Sequence, residues 1–146
     1  MPIVREMTLH DAQRLAELTT QLGYPITSAT MLGRIHLFLN NPYGKVFVAA
    51  IQDNVVGYIC IWVREHFHDA HRAARILALV VDTNYQRRGI GTKLIAAAEQ
   101  YAQQQGCISI DLTSGNKRID AHVFYENLGY KPDQTKYFSK DFVTQK

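Results

Sequence analysis

The spacing of hydrophobic residues changes several times along the chain. Four stretches have apolar residues three or four positions apart, which predicts four helices. The first helix carries a stripe at helical spacing, formed by Leu9, Ala12, Leu15, Ala16 and Leu22. Thr8 is placed to cap this helix, with Asp11 three residues on, and Gly23 ends it. Further helices are predicted over 28–39, from Gly91 to Gly106, and over 121–128.

Apolar runs and alternating positions predict six strands, over 3–6, 46–51, 55–64, 76–81, 107–113 and 137–142. The polar residues 52–54 predict a tight hairpin between the second and third strands. The resulting order, β-α-α-β-β-β-α-β-α-β, indicates a mixed α/β (α+β) domain over residues 1–146. Its unit 76–113 is expected to form a right-handed parallel crossover.

Composition narrows the range of functions. The chain has 146 residues, 47% hydrophobic and 20% charged, which suits one globular domain. A net charge of +3, without a Lys/Arg run, favours a small anionic ligand over nucleic acid. Cys60 and Cys107 lie in apolar runs and are expected to be buried free thiols in a reducing compartment. The sequence shows neither a signal peptide nor a membrane span, so we expect a cytoplasmic protein.

The segment Tyr85-Gln86-Arg87-Arg88-Gly89-Ile90-Gly91-Thr92-Lys93 carries the most specific chemistry. It joins a predicted strand to a predicted helix N-terminus, where free N–H groups and the helix dipole favour an anion. Its glycines let the backbone approach a ligand closely. The segment lacks the Walker pattern, and Leu94 stands where a dinucleotide fingerprint has its third glycine. We therefore expect a different phosphate-bearing cofactor.

Two motifs resemble the GNAT superfamily of N-acetyltransferases, which use acetyl-coenzyme A. Gln86-Arg87-Arg88-Gly89-Ile90-Gly91 fills the family signature [QR]-x-x-G-x-[GA], and Ala121 to Tyr130 resembles its A-x-x-F-Y-E-x-x-G-[FY] segment. The resemblance implies a mixed central sheet with a splayed fourth and fifth strand pair, flanked by helices. The stretches 117–125 and 136–140 look closest to the aminoalkylphosphonate and aminoglycoside 6'-N-acetyltransferase-like branch.

The resemblance implies roles for individual residues. Residues 86–92, which are Gln86, Arg87, Arg88, Gly89, Ile90, Gly91 and Thr92, would bind the pyrophosphate of acetyl-CoA. The backbone of Leu79, Val80 and Val81 would pair with the pantetheine arm. Many relatives have an asparagine three residues before the motif alanine, where this chain has Arg118. Asn116 and Arg118 are therefore both candidates for that cofactor contact, as is His122.

Tyr125 occupies the motif position of the general acid. A phenol with a pKa of about 10 can donate a proton to a leaving thiolate whose conjugate thiol has a pKa of about 8.5. The implied reaction is direct attack of a small-molecule primary amine on acetyl-CoA in a ternary complex. Alternatives are a protein or peptide N-acetyltransferase and a non-catalytic acyl-CoA-binding module.

The general base has no motif, because the glutamate that relatives often carry on the fourth strand is missing here. The candidates for the base are Glu65 and His66, with His68, Asp69 and His71 nearby, and the alternative is ordered water without a dedicated base. The acceptor would be bound by Tyr24 and His68. The spacing His66-x-His68-x-x-His71 beside Asp69 also fits a divalent metal, but the sequence favours an exposed polar loop here, and we assign no metal from it. Tyr137 and Phe138 fit either a homodimer contact or a core strand.

Overall fold

A computed structural model describes residues 1–114, 119–133 and 135–143. The chain divides into two compact units, Met1–Thr113 and Ser114–Lys146. The first unit contains the sheet and three helices, α1 (Ala12–Leu22), α2 (Ser28–Leu39) and α3 (Ile90–Gln104). The second contains α4 (Ile119–Asn127). The predicted extent of one domain, 1–146, stays a prediction.

The sheet has five strands in the order β1-β2-β3-β4-β5. They are β1 (Ile3–Glu6), β2 (Gly44–Ile51), β3 (Asn54–Glu65), β4 (Arg72–Val81) and β5 (Cys107–Asp111). The first four pair antiparallel, and β5 joins β4 in parallel through the crossover helix α3. The predicted mixed sheet flanked by helices is therefore confirmed.

Helices α1 and α2 cover one face of the sheet and α3 covers the other, as the alternation of side chains requires. On β2, Val46, Val48 and Ala50 belong to the core beneath α1 and α2. The intervening Phe47 contacts Tyr101 of α3, with ring centroids 6.0 Å apart. Both faces of the central strands are therefore buried, which explains why β3 reads as a nearly continuous apolar run.

Strands β4 and β5 diverge after a short paired segment. Their pairs join Arg72 to Cys107, Ala74 to Ile110 and Arg75 to Asp111, and the described residues show no pair beyond the last of these. The rest of β4 keeps its pairing with β3, down to Val81 opposite Gly57. One edge of this half of β4 therefore has no partner strand among the described residues, which confirms the predicted splay; we call this opening between β4 and β5 the gap.

The predicted strand over 137–142 is wrong, because residues 135–143 contain no strand. Tyr137 and Phe138 are 78% and 87% exposed, which also excludes the interpretation of this stretch as a core strand. β-Branched and aromatic residues favour a strand only where a neighbouring strand and a half-buried surface accept them. A second difference is that β4 begins at Arg72, four residues before the predicted start of this strand at 76.

The two cysteines are free, as predicted. Burial raises the pKa of the Cys60 thiol to about 12. Cys107 is half-buried, and burial raises its pKa as well. A raised pKa keeps a thiol protonated, and the thiolate is the nucleophilic form, so neither cysteine is activated as a nucleophile. Among the helices in the described part of the chain, none has both the length and the apolar character needed to cross a bilayer.

Replacing Gly57 with alanine is expected to lower the free energy of unfolding by about 1–3 kcal/mol. An added Cβ would lie 2.8 Å from the carbonyl oxygen of Val80 and 3.2 Å from Cδ1 of Leu94. The first of these atoms belongs to the backbone, so β4 or the start of α3 must move. Urea denaturation of both proteins measures the loss.

Gly33→Ala in α2 is the matched control for this substitution. A Cβ at Gly33 meets no described atom within 4 Å. Alanine in a helix should there be neutral or stabilise the protein by up to about 1 kcal/mol. An equal loss of stability in both variants would contradict the packing argument.

Candidate functional site

The start of α3 presents unpaired backbone donors. Gly89 is the N-cap residue, with φ of 77°, and its carbonyl accepts the N–H of Lys93 at 3.1 Å. The N–H groups of Ile90, Gly91 and Thr92 belong to the first turn, where a helix supplies no carbonyl partner. Glycine also lacks a side chain that would cap them. This turn therefore offers several converging N–H groups to an anion.

Exposed cations surround this helix start. Arg87 and Arg88 are exposed, and the guanidinium of Arg88 lies 5.1 Å from the centroid of the Tyr85 ring. Arg87 has φ of 65°, a left-handed conformation that is uncommon for a residue other than glycine. Together, residues 86–92 form an anion cradle, the name used below for this segment.

Helix α1 holds the loop that leads into the anion cradle. Nη2 of Arg14 lies 2.8 Å from Oδ2 of Asp82, and Nε of Arg14 donates to the carbonyl of Val55 at 2.8 Å. Asp82 is buried, and its Oδ1 accepts the N–H of Asn84 at 3.0 Å. This backbone bond, followed by the bond from Arg14, lowers the pKa of Asp82. The Arg14–Asp82 pair therefore fixes the path of the chain between β4 and the anion cradle.

The end of β4 next to the gap has an edge without a partner strand among the described residues, although the Val81 carbonyl accepts Nε2 of Gln86 at 3.4 Å. Because alternate N–H and C=O groups of a strand point to opposite neighbours, half of those between Leu77 and Val81 point away from β3. Val80 is buried, whereas Leu79 and Val81 are half-buried. The side chains thus contribute to packing, and the predicted contact between this backbone and a cofactor stays a prediction.

An arginine pair lies where β4 and β5 part. Arg75 donates from Nε to Oδ1 of Asp111 at 2.8 Å, and Nη2 of Arg64 lies 3.3 Å from Oδ2 of the same carboxylate. The register places both arginines on the sheet face that carries Trp62. Nε of Arg64 is buried, with no hydrogen-bond partner among the described residues. Two guanidinium groups therefore share one carboxylate at this point.

The histidines gather at the tip of the β3–β4 hairpin. Nδ1 of His66 lies 3.1 Å from Oδ1 of Asp69, and Nε2 of His68 lies 3.4 Å from Oδ2. Nδ1 of His71 lies 3.4 Å from Oδ1 of Asp69. The rings of His66 and His68 stack with centroids 5.0 Å apart. We call His66, His68, Asp69 and His71 the hairpin cluster.

The hairpin cluster and the anion cradle adjoin opposite ends of β4. His66 lies opposite His71, to whose carbonyl its N–H donates. His71 precedes Arg75, the last residue of β4 that pairs with β5, by four residues, or about 13 Å of strand. Glu65 pairs with Arg72, with Oε2 and Nη2 3.1 Å apart, and this bond lowers the pKa of its carboxyl. The structure therefore places both predicted bases away from the gap between the strands.

The remaining predicted residues are placed as follows. Tyr24 is 67% exposed in the loop between α1 and α2. In the second unit, Tyr125 is half-buried on α4, with its ring centroid 5.2 Å from that of Phe124 and 6.0 Å from that of Tyr130. His122 lies one turn earlier on the same helix. Asn116 and Arg118 lie outside the described residues.

Three structurally central residues were missed by the sequence reasoning, namely Arg14, Asp82 and Asp111. Arg14 and Asp82 are 68 positions apart, and Arg75 and Asp111 are 36 apart. No local pattern links such residues. The only available signal was a charged residue at the end of an apolar strand, which holds for both Asp82 and Asp111.

Comparison with known sequences places these features in a family. A sequence profile described as the acetyltransferase (GNAT) family matches residues 9–130. An aminoalkylphosphonate N-acetyltransferase of Salmonella typhimurium is 37% identical over 83 residues, which cover 57% of this chain and 54% of that protein. Human N-alpha-acetyltransferase 30 is 32% identical over 130 residues, covering 88% of this chain and 34% of that protein. The matches thus span about half, or less, of these relatives' lengths.

Known structures share the fold. An aminoglycoside N-acetyltransferase, AAC(6')-Iy, in complex with CoA superposes with a TM-score of 0.86. The superposition covers 98% of this chain and 96% of that one, at 18% sequence identity. At this identity the similarity concerns the fold.

Proposed function

Because the chain belongs to the acetyltransferase (GNAT) family, we propose that it transfers the acetyl group of acetyl-CoA to a primary amine of a small molecule. The observation that carries the proposal is the anion cradle next to the open edge of β4. A pyrophosphate suits the N–H groups of Ile90, Gly91 and Thr92, with Arg87 and Arg88 adding charge.

The open edge of β4 suits the pantetheine arm. From Val81 to Ile76 the strand measures about 17 Å, given a rise of about 3.3 Å per residue. Amide groups of pantetheine would pair with this edge as an added strand does. The thioester would then lie where β4 and β5 part, and a backbone N–H of β4 would stabilise the oxyanion that forms there.

In the proposed reaction, the amine nitrogen attacks the thioester carbonyl carbon and forms the C–N bond. The C–S bond then breaks, and the CoA thiolate leaves and takes up a proton. Tyr125 is the proposed donor of that proton, on the grounds of its position in the family motif. No acyl-enzyme is needed, and the raised pKa of Cys60 argues against a thiol nucleophile.

The attacking nitrogen must also lose a proton. A direct base has to approach within hydrogen-bond distance of that nitrogen or act through one water. His66 lies about 13 Å along the strand from the level of Arg75, and the Glu65 carboxylate is held by Arg72. This geometry disfavours both residues as direct bases, so we propose that ordered water carries the proton to bulk solvent.

The acceptor is proposed to carry an anionic group besides its amine. Arg64 and Arg75 lie where β4 and β5 diverge, next to the proposed position of the thioester, and Nε of Arg64 has no hydrogen-bond partner among the described residues. Guanidinium groups bind carboxylate and phosphonate oxygens through paired hydrogen bonds. The aminoalkylphosphonate acetyltransferase of Salmonella acts, by its name, on such an amine.

Thiol release from acetyl-CoA across a panel of amines tests this function. Turnover is expected with small amines that carry a carboxylate or phosphonate, and weaker turnover with the matching uncharged amines. S-acetylpantetheine should be a poor donor, because it lacks the pyrophosphate. Tight acetyl-CoA binding without turnover of any amine or peptide would instead identify a non-catalytic acyl-CoA-binding module.

Protein N-terminal acetylation is the second candidate function. Its support is the similarity to human N-alpha-acetyltransferase 30, which extends over 88% of this chain. Peptides with free N-termini, added to the same panel, separate the two. Faster turnover of peptides than of every small amine would favour this candidate over the proposed one.

A further inference from the structure

The hairpin cluster brings nitrogen and oxygen ligands together in a region that the proposed reaction does not use. One ligand atom from each of His66, His68 and Asp69 lies within 4.8 Å of the other two. These side chains come from four consecutive positions at a hairpin tip, 24%, 78% and 37% exposed respectively. Solvent therefore reaches the cluster directly.

The distances within the cluster fit a shared metal ion. Zn²⁺ binds imidazole nitrogen and carboxylate oxygen at about 2.0–2.2 Å in a tetrahedral arrangement. Two ligands of such an ion are then about 3.4 Å apart. Nδ1 of His66 lies 3.1 Å from Oδ1 of Asp69, and Nε2 of His68 lies 3.4 Å from Oδ2; with one ligand atom taken from each residue, all three lie within 4.8 Å of one another. Small rotations of the half-buried His66 ring and the exposed His68 ring would bring their nitrogens closer together.

The backbone holds the central carboxylate in place. The N–H of His66 donates to the carbonyl of His71 at 3.1 Å, which closes the loop. Oδ1 of Asp69 accepts the N–H of His71 at 2.8 Å. A ligand oriented by an outer hydrogen bond loses less freedom when a metal binds. Among the described residues, this is the only group of three or more His, Cys, Asp or Glu with such convergence.

We propose that the tip of the β3–β4 hairpin binds a divalent transition metal through His66, His68 and Asp69. Two imidazoles and one carboxylate suit Zn²⁺, and also Ni²⁺ and Co²⁺, better than Mg²⁺ or Ca²⁺, which prefer oxygen ligands. The fourth position is left for water or for His71. The site is independent of acetyl transfer, because it lies at the end of β4 away from the anion cradle.

Titration of protein without an affinity tag, using Zn²⁺ alone in a calorimeter, tests the site. We expect saturable binding of one equivalent in the parent protein. His68→Ala and Asp69→Asn should each weaken it by about tenfold or more, as the loss of a ligand requires. Asparagine keeps an acceptor for the N–H of His71, so the loop should retain its shape.

His36→Ala is the matched control, because His36 is an exposed histidine on α2, outside the cluster. It should bind Zn²⁺ like the parent. With Co²⁺ as the probe, visible absorption should report tetrahedral ligation in the parent and in His36→Ala only. Absence of saturable Zn²⁺ binding, or equal binding by all four proteins, would overturn the proposal. Circular dichroism of each variant confirms the fold before titration.

Discussion

Replacing Tyr125 with phenylalanine is expected to lower kcat by about 100-fold or more. The substitution removes one hydroxyl, so the thiolate of CoA leaves without a positioned proton donor. Packing should persist, because phenylalanine keeps the ring beside Phe124 and Tyr130. The KM for acetyl-CoA should change little. Steady-state kinetics with the best amine from the panel measure both quantities.

Tyr137→Phe is the control for this experiment, because it makes the same chemical change at a tyrosine that is 78% exposed. Its kcat should equal that of the parent. Full activity of Tyr125→Phe would remove Tyr125 as the acid and leave the family assignment intact. A matching loss in kcat and in thermal stability would indicate a structural role instead.

Replacing Asp82 with alanine is expected to cost about 2–3 kcal/mol of unfolding free energy. Removal of one partner from a fully buried ion pair costs about 3–5 kcal/mol, and the partly exposed Arg14 side chain reduces that figure. The loop N–H of Asn84 also loses its acceptor. Because the loop then loses its anchor on α1, the KM for acetyl-CoA should rise. Chemical denaturation and kinetics measure the two effects.

Glu17→Ala provides a control on the same guanidinium. Glu17 lies 2.9 Å from Nη1 of Arg14, but its side chain is 48% exposed, against 8% for Asp82. An exposed pair contributes less than about 1 kcal/mol. Similar losses from the two substitutions would show that burial of Asp82 does not determine the strength of its bond with Arg14.

The effect of Asp82 should depend on pH in one direction. Its pKa is lowered in the folded protein, chiefly by the N–H of Asn84 and then by Arg14. Its contribution to stability is therefore complete above the unfolded value of about 3.9 and is lost as pH falls through the folded value. The stability difference between the parent and Asp82→Ala should shrink below about pH 4. Denaturation at several pH values checks this.

Local patterns predicted most of the helices and strands, because each type of element has its own spacing of apolar residues. The helix over 28–39 and the strand over 3–6 have the predicted bounds. Thr8 and Asp11 form the expected capping box. The family assignment was equally accessible, since Gln86 to Gly91 and Ala121 to Tyr130 are contiguous motifs, and the family profile confirms it.

Predictions that depended on residues distant in sequence were less successful. Residues 137–142 have the composition of a strand, yet no strand forms there among the described residues. Glu65 and His66 follow β3 in sequence, but only the register of β3 with β4 shows how far they lie from the gap between β4 and β5. Their roles, like that of Tyr125, stay predictions.

The sequence by itself determined most of the elements, the family and the position of the segment 86–92 before α3, because each depends on residues within one turn or one motif. Only the tertiary structure decided that Arg14 holds Asp82 across 68 positions, and that Arg64 and Arg75 share Asp111. Such contacts depend on strand order and register, which the period of the hydrophobic pattern does not specify. The proposed acceptor side of the site could therefore be inferred only from the assembled sheet.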